Sequence, residues 1–204
     1  SSSQHRNYIA GLIKFRDFSR AREEINIAKQ NKILDINALQ GTLSLNEGDL
    51  LSARKIFEIE SNKGDINCKA QLGQTLRLMG QFDGAIKTLT SVVSSFPEDS
   101  RAWNELGLSY LQNGNNEEAQ QAFEKSLAIN PTDGSAHYNL MHAYSRQRKL
   151  TQSRREDTIF RAMQEEEPLR SIRDQYLLKH PELSCELEPL HVHYLTSPTR
   201  QHSQ

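Results

Sequence analysis

Apolar residues recur along this chain at intervals of three and four, in short stretches separated by polar turns, and the stretches come in pairs. Between residues 100 and 133, Leu106, Tyr110 and Leu111 line one helical face, and Ala119, Phe123, Leu127 and Ala128 line another, with Gly114-Asn115-Asn116 between them. The unit reads as a helical hairpin. One fixed step back from Leu106, Gly107, Ala119 and Pro131 meets Leu72, Gly73, Ala85 and Pro97 without a gap. A period of this length indicates a stacked array of hairpins.

The unit at about 66–99 keeps the same grammar through Leu72, Gly73, Leu76, Gly80, Phe82, Ala85, Leu89 and Pro97. The unit at 34–65 is slightly shorter, has no closing proline, and places Gly41, Gly48, Ala53 and Phe57 at the corresponding positions. A first unit at about 5–33 retains Phe18, Ala21, Ile25 and Ala28, and the register of its first helix, around YIAGLIKF, is ambiguous. A last unit at 134–167 has Leu140, Ala143 and Tyr144 in register, with Met141 in the place of the glycine, and its second helix runs on through Ile159, Phe160 and Met163. Drift of this kind is expected at the ends of an array. Gly107 and Ala119 are small because two helices cross there, and Pro131 stops the second helix.

Trp103, Leu106, Gly107, Tyr110, Ala119, Phe123 and Pro131 together resemble the tetratricopeptide repeat, and the preceding unit matches most of these places. The resemblance covers about residues 5–167, or four to five repeats. It implies an all-α, right-handed superhelical solenoid whose concave wall is formed by the first helix of each hairpin, and a protein or peptide as partner. Beyond the repeats, Leu169, Ile172, Tyr176 and Leu177 form one stripe behind Pro168, which predicts a capping helix over 168–180. Residues 181–204 read as an extended tail with three prolines and the run His191-Val192-His193. In an extended strand His191 and His193 project from the same side, the one spacing here that suits two metal ligands. No recognised spacing supplies the other two, so no metal or cofactor is expected. The degenerate last repeat, the KHP ending of the capping helix, the acidic linker and the terminal HVH also resemble the C-terminal repeat segment of exported bacterial multi-domain proteins that carry multihaem cytochrome domains. That likeness implies an extracytoplasmic setting within a larger protein.

Composition narrows the partner. The chain has 204 residues, 36% hydrophobic and 25% charged, with a net charge of −1 and a mean hydropathy of −0.71. Its apolar content suits a thin stack better than a spherical core, and the balanced charge argues against nucleic acid or anionic lipid. No window has the roughly 18 apolar residues of a membrane span. Cys68 and Cys185 form no CxxC or CxxCH pattern and leave the compartment open. The chain lacks a Gly-rich phosphate loop, GxSxG and HExxH, so a non-enzymatic role is expected. Glu117-Glu118 and Glu165-Glu166-Glu167 read as solvated helix faces, and the basic cluster from Arg146 to Arg155 reads as a solvated turn.

On the concave wall the pattern turns Asn67, Ala70, Gln74, Arg77, Arg101, Asn104, Leu108, Tyr138, Asn139 and His142 inward. A carboxylate-gripping set of Lys, Asn and Arg, as in co-chaperone members of the family, is not found there. The wall suits an extended, polar or acidic segment with an apolar anchor. Arg77 has no acid at helical spacing, whereas Arg101 has Glu105 one turn on, which makes Arg77 the expected free cation. A homo-oligomeric or assembly role, or a ligand on the histidine tail, stands as the alternative.

Overall fold

The computed structural model describes residues 2–33 and 36–165, and the expected capping helix and HVH tail lie outside these. Ten helices follow one another: α1 Ser2–Lys14, α2 Phe18–Gln30, α3 Ile36–Glu47, α4 Leu50–Asn62, α5 Ile66–Leu78, α6 Phe82–Ser95, α7 Ser100–Gln112, α8 Asn116–Ile129, α9 Gly134–Arg146 and α10 Leu150–Glu165. They pack as consecutive antiparallel pairs. Each helix touches the next, and each odd helix also touches the following odd one, from α1·α3 through α7·α9. No two even helices are in comparable contact among the described residues, so the stack is tighter on its odd side. The first helices therefore form the inner wall.

The turn inside each hairpin is the same device five times. A residue in the left-handed region follows the first helix: Arg16, Gly48, Gly80, Gly114 and Arg148, with φ between 60° and 89°. The next backbone N–H then reaches back to a carbonyl in the last turn of that helix, as in Asp49 to Ser44 at 2.9 Å and Asn115 to Tyr110 at 2.9 Å. Links between hairpins come in two kinds. The first two use left-handed Lys32 and Gly64, and the next two use Phe96 and Asn130 in non-helical conformations ahead of Pro97 and Pro131. Aspartates cap the following helices: Asp65, Asp99 and Asp133 accept N–H bonds from Cys68, Ala102 and Ser135 respectively. Their recurrence once per repeat is a start signal that the apolar pattern alone does not reveal.

Glycine sets the distance between the two helices of a hairpin. A Cβ added at Gly41 would lie 2.6 Å from the Phe57 ring, at Gly73 2.5 Å from Leu89 Cγ, and at Gly107 2.5 Å from Phe123 Cε1. The first hairpin has Ile9 and Ile25 at the places of Gly41 and Phe57, both buried in one cluster, which explains why its register could not be read from a glycine. On α8 the buried face is Ala119, Ala122, Phe123 and Ser126. Ala128, expected on that face, is exposed, because the helix turns its Ser126 hydroxyl inward to the Ser100 carbonyl at 2.8 Å. The basic cluster from Arg146 to Arg155 spans the turn between α9 and α10, with Arg146, Arg148, Arg154 and Arg155 exposed. Only 147–149 link the two helices, and Arg146 donates to the Leu111 carbonyl.

Candidate functional site

The repeat period puts equivalent side chains in rows across α5, α7 and α9. One row runs Asn67, Arg101, Ser135, the next Ala70, Asn104, Tyr138, and the third Gln74, Leu108, His142. Neighbouring helices are tied through polar side chains on this wall. Asn139 Nδ2 donates to Asn104 Oδ1 at 3.0 Å, joining α9 to α7. The Thr42 hydroxyl on α3 lies 2.9 Å from Gln71 Oε1 on α5. These bonds hold the amides at fixed spacing before anything binds.

Arg77 corrects the expectation set by spacing along one helix. Its Nε donates to Glu105 Oε2 at 2.9 Å and its Nη1 reaches Gln112 Oε1 at 3.4 Å, both on α7. Only 9% of the residue is exposed. The acid that satisfies it comes from the first helix of the next repeat and so does not show in a search along α5 at i±4. The same pairing diverts Glu105 from Arg101. Arg101 is exposed and, among the described residues, makes no ion pair or side-chain hydrogen bond. It is therefore the available cation of this part of the wall.

Tyr138 and His142 lie together on α9, their rings edge to face at 4.4 Å and 79°. Phe160 of α10 meets Tyr138 at 5.2 Å. Asn67, Gln74 and Asn104 are half-buried on the same layer. His191 and His193 fall outside the described residues. Within those described, no group of three or more His, Cys, Asp or Glu is placed to hold a metal. No helix among them is long and apolar enough to cross a membrane.

One buried polar cluster escaped the sequence reading. Trp103 Nε1 donates to the Pro97 carbonyl at 2.8 Å, and at the equivalent place of the next repeat His137 Nε2 meets the Pro131 carbonyl at 3.1 Å. His137 thus takes the tryptophan's place, and its Nδ1 is 2.6 Å from Glu156 Oε2. The signal was present in the repeat step from Trp103. The pair, buried on both sides, ties α9 to α10. Cys68 is also structural: burial pushes its thiol well above the usual range, and the nearby Asp65 adds to this. Burial, and then the hydrogen bond to Glu124, raises the Tyr144 hydroxyl to about 12. Glu117 and Glu118 are exposed in the first turn of α8, where they complement the helix N-terminus.

Comparison with known proteins agrees with this geometry. Residues 71–134 match the family model described as tetratricopeptide repeat. The chain is similar to the aspartyl/asparaginyl beta-hydroxylase of Homo sapiens, 32% identical over 77 residues, which is 38% of this chain and 10% of the hydroxylase. It is also similar to the peroxisomal targeting signal receptor of Candida albicans, 31% identical over 85 residues, 41% of this chain and 14% of the receptor. The matched stretch is thus a small part of each relative's length. Among solved structures, MamA from residue 41 to its end, from Desulfovibrio magneticus RS-1, superposes with a TM-score of 0.65 at 20% identity, covering 81% of this chain and 96% of that one. A further crystal structure of MamA gives a TM-score of 0.62 at 17% identity, covering 77% and 94%. With the pairwise packing of its ten described helices, the chain folds as an all-helical array of hairpins like those of tetratricopeptide repeats, and its residues 71–134 match that repeat, a kind of module that generally mediates protein–protein interaction.

Proposed function

We propose that this chain is a non-enzymatic binding module that lays an extended segment of a partner protein along the inner wall of α5, α7 and α9. The observation that carries the reading is the pre-set polar surface of that wall. Asn104 and Asn139 are bonded to each other, Arg77 is consumed by Glu105, and Arg101 is left exposed in the first turn of α7. Amide side chains on an ordered surface can pair with the backbone N–H and C=O groups that an extended segment leaves unsatisfied. The exposed guanidinium adds a preference for acidic side chains. Arg77, first expected to contact the partner, acts instead by holding α5 and α7 together.

Random dodecapeptides displayed on phage and selected on the chain provide the test. Selected sequences should lose affinity at least tenfold with Arg101→Glu and keep it with Lys125→Glu, an exposed position on the second helix α8. Equal, small effects of both substitutions at two salt concentrations would remove the inner wall as the binding surface. The outer face, where Ile27 and Ile59 are exposed, would then be the surface to examine.

A further inference from the structure

Tyr138 is held on two sides and open on a third. His142 meets its ring edge-on at 4.4 Å and Phe160 lies at 5.2 Å, tilted by 48°, yet 43% of the residue is exposed. An exposed ring usually loses rotamer freedom when something docks on it. This one has already lost it to α9 and α10, so docking has a smaller entropic cost. On the neighbouring first helix, Arg101 has had its own carboxylate taken by Arg77. The Asn104 to Asn139 bond at 3.0 Å locks α7 to α9 and so fixes the distance between the two features.

That distance can be worked out. Tyr138 sits three positions beyond Ser135, the equivalent of Arg101, which is about 4.5 Å along the helix at about 1.5 Å per residue. Packed helices lie about 9 Å apart, so the two points are separated by about 10 Å. An extended segment wound as polyproline II covers this in about three residues at about 3.1 Å each, and with three residues per turn it brings side chains three positions apart to the same face.

From these two points we infer that the wall selects a segment carrying a carboxylate side chain and, three or four positions away, an apolar or aromatic side chain. The carboxylate pairs with Arg101. The apolar group packs on the open side of Tyr138, beside His142 and Phe160. The inference rests on the inner wall being the binding surface, and it adds what that surface selects. Tyrosine and arginine are among the residues that most often carry the binding energy of a small contact.

The test uses the whole 15N-labelled chain and capped decapeptides of Gly and Ser that carry one Glu and one Phe, at separations from one position to seven. Chemical-shift titration to millimolar peptide should give the lowest dissociation constant at a separation of three or four. It should be at least tenfold below the other separations and below the Glu→Gln and Phe→Ala peptides, with the shifts concentrated in α7 and α9. Tyr138→Ala should erase the Phe contribution and spare the Glu contribution, and Arg101→Gln should do the reverse. Tyr138→Leu, which keeps an apolar side chain there, should retain part of the Phe contribution. Equal affinity at every separation, or a Phe contribution that survives Tyr138→Ala, overturns the inference. So does a complete lack of binding. If the Glu contribution depends on Arg101 while Phe has no effect, the anchor is wrong and the binding wall stands. If library-selected peptides also ignore Arg101, the wall itself is wrong.

Discussion

Adding one methyl group at Gly107 tests the packing on which every hairpin depends. The new Cβ would lie 2.5 Å from Cε1, 2.6 Å from Cδ1 and 2.9 Å from Cζ of Phe123. Carbon atoms pack at about 3.5–4.0 Å, so the ring has to retreat by about 1 Å, and it is fully buried. Overpacking costs about 1–3 kcal/mol, and the upper half of that range applies where a ring with no space behind it must move. Alanine returns about 1 kcal/mol over glycine in a helix interior. Gly107→Ala should therefore destabilise the chain by about 1–2 kcal/mol, and Gly107→Leu by more. At roughly 2–4 °C per kcal/mol for a chain of this size, the melting temperature should fall by about 2–8 °C. Urea unfolding can be followed through Trp103, the sole tryptophan, one turn away on the same helix. The decisive control is Phe123→Val, which removes the three ring atoms that the methyl group meets. In that background Gly107→Ala should change sign and stabilise by about 1 kcal/mol, since only the helix preference is left. The same sign in both backgrounds, or no loss in the parent, would refute the close crossing.

Three further outcomes follow from other parts of the molecule. Glu156→Ala leaves His137 without its buried partner and should cost about 3 kcal/mol, read as faster amide exchange in α9 and α10; equal acceleration in α5 and α6 would show that the pair is not a local clasp. Tyr144, raised to about 12 by burial and by Glu124, should keep its proton after the unfolded chain has lost its own near pH 10. Its contribution to stability is thus full below about pH 10 and lost as the pH rises toward about 12. Tyr144→Phe should flatten that decline, and an unchanged decline would discount the hydroxyl. Excess EDTA should leave the melting temperature unmoved, whereas a drop that disappears in the His191→Ala, His193→Ala double variant would assign those histidines a ligand.

The array was legible in the sequence because its packing repeats. Gly41, Gly73 and Gly107 face Phe57, Leu89 and Phe123 at one constant spacing along the chain, and that constraint prints the same letters again and again. The wall was harder to read. Side chains that point into a groove are not forced by packing, so their partners cannot be inferred from the period. Arg77 illustrates this, since its acid sits on the next first helix and the two meet only after the hairpins stack. Arg101 was discounted for the same reason in reverse, because an acid at i+4 is available only if no other base claims it. His137 was missed for a different cause. It substitutes for a tryptophan in hydrogen bonding and not in apolar character, so a search for apolar recurrence passes over it.

The arginines in the left-handed turns carry a consequence for how the array breathes. Arg16 and Arg148 occupy, in the two outermost described hairpins, the conformation that Gly48, Gly80 and Gly114 occupy in the inner three. A side chain there costs about 1–2 kcal/mol relative to glycine. That cost falls on the first and last described hairpins, so their turns should open more readily than the three between them, and α9 and α10 should exchange faster than α5 to α8 on this account. Tyr138 stands on the α9–α10 hairpin and Arg101 one repeat before it. A partner that grips both would staple the looser hairpin to the firmer one, and binding would then be recorded as slowed exchange in a hairpin that the ligand touches at only one ring.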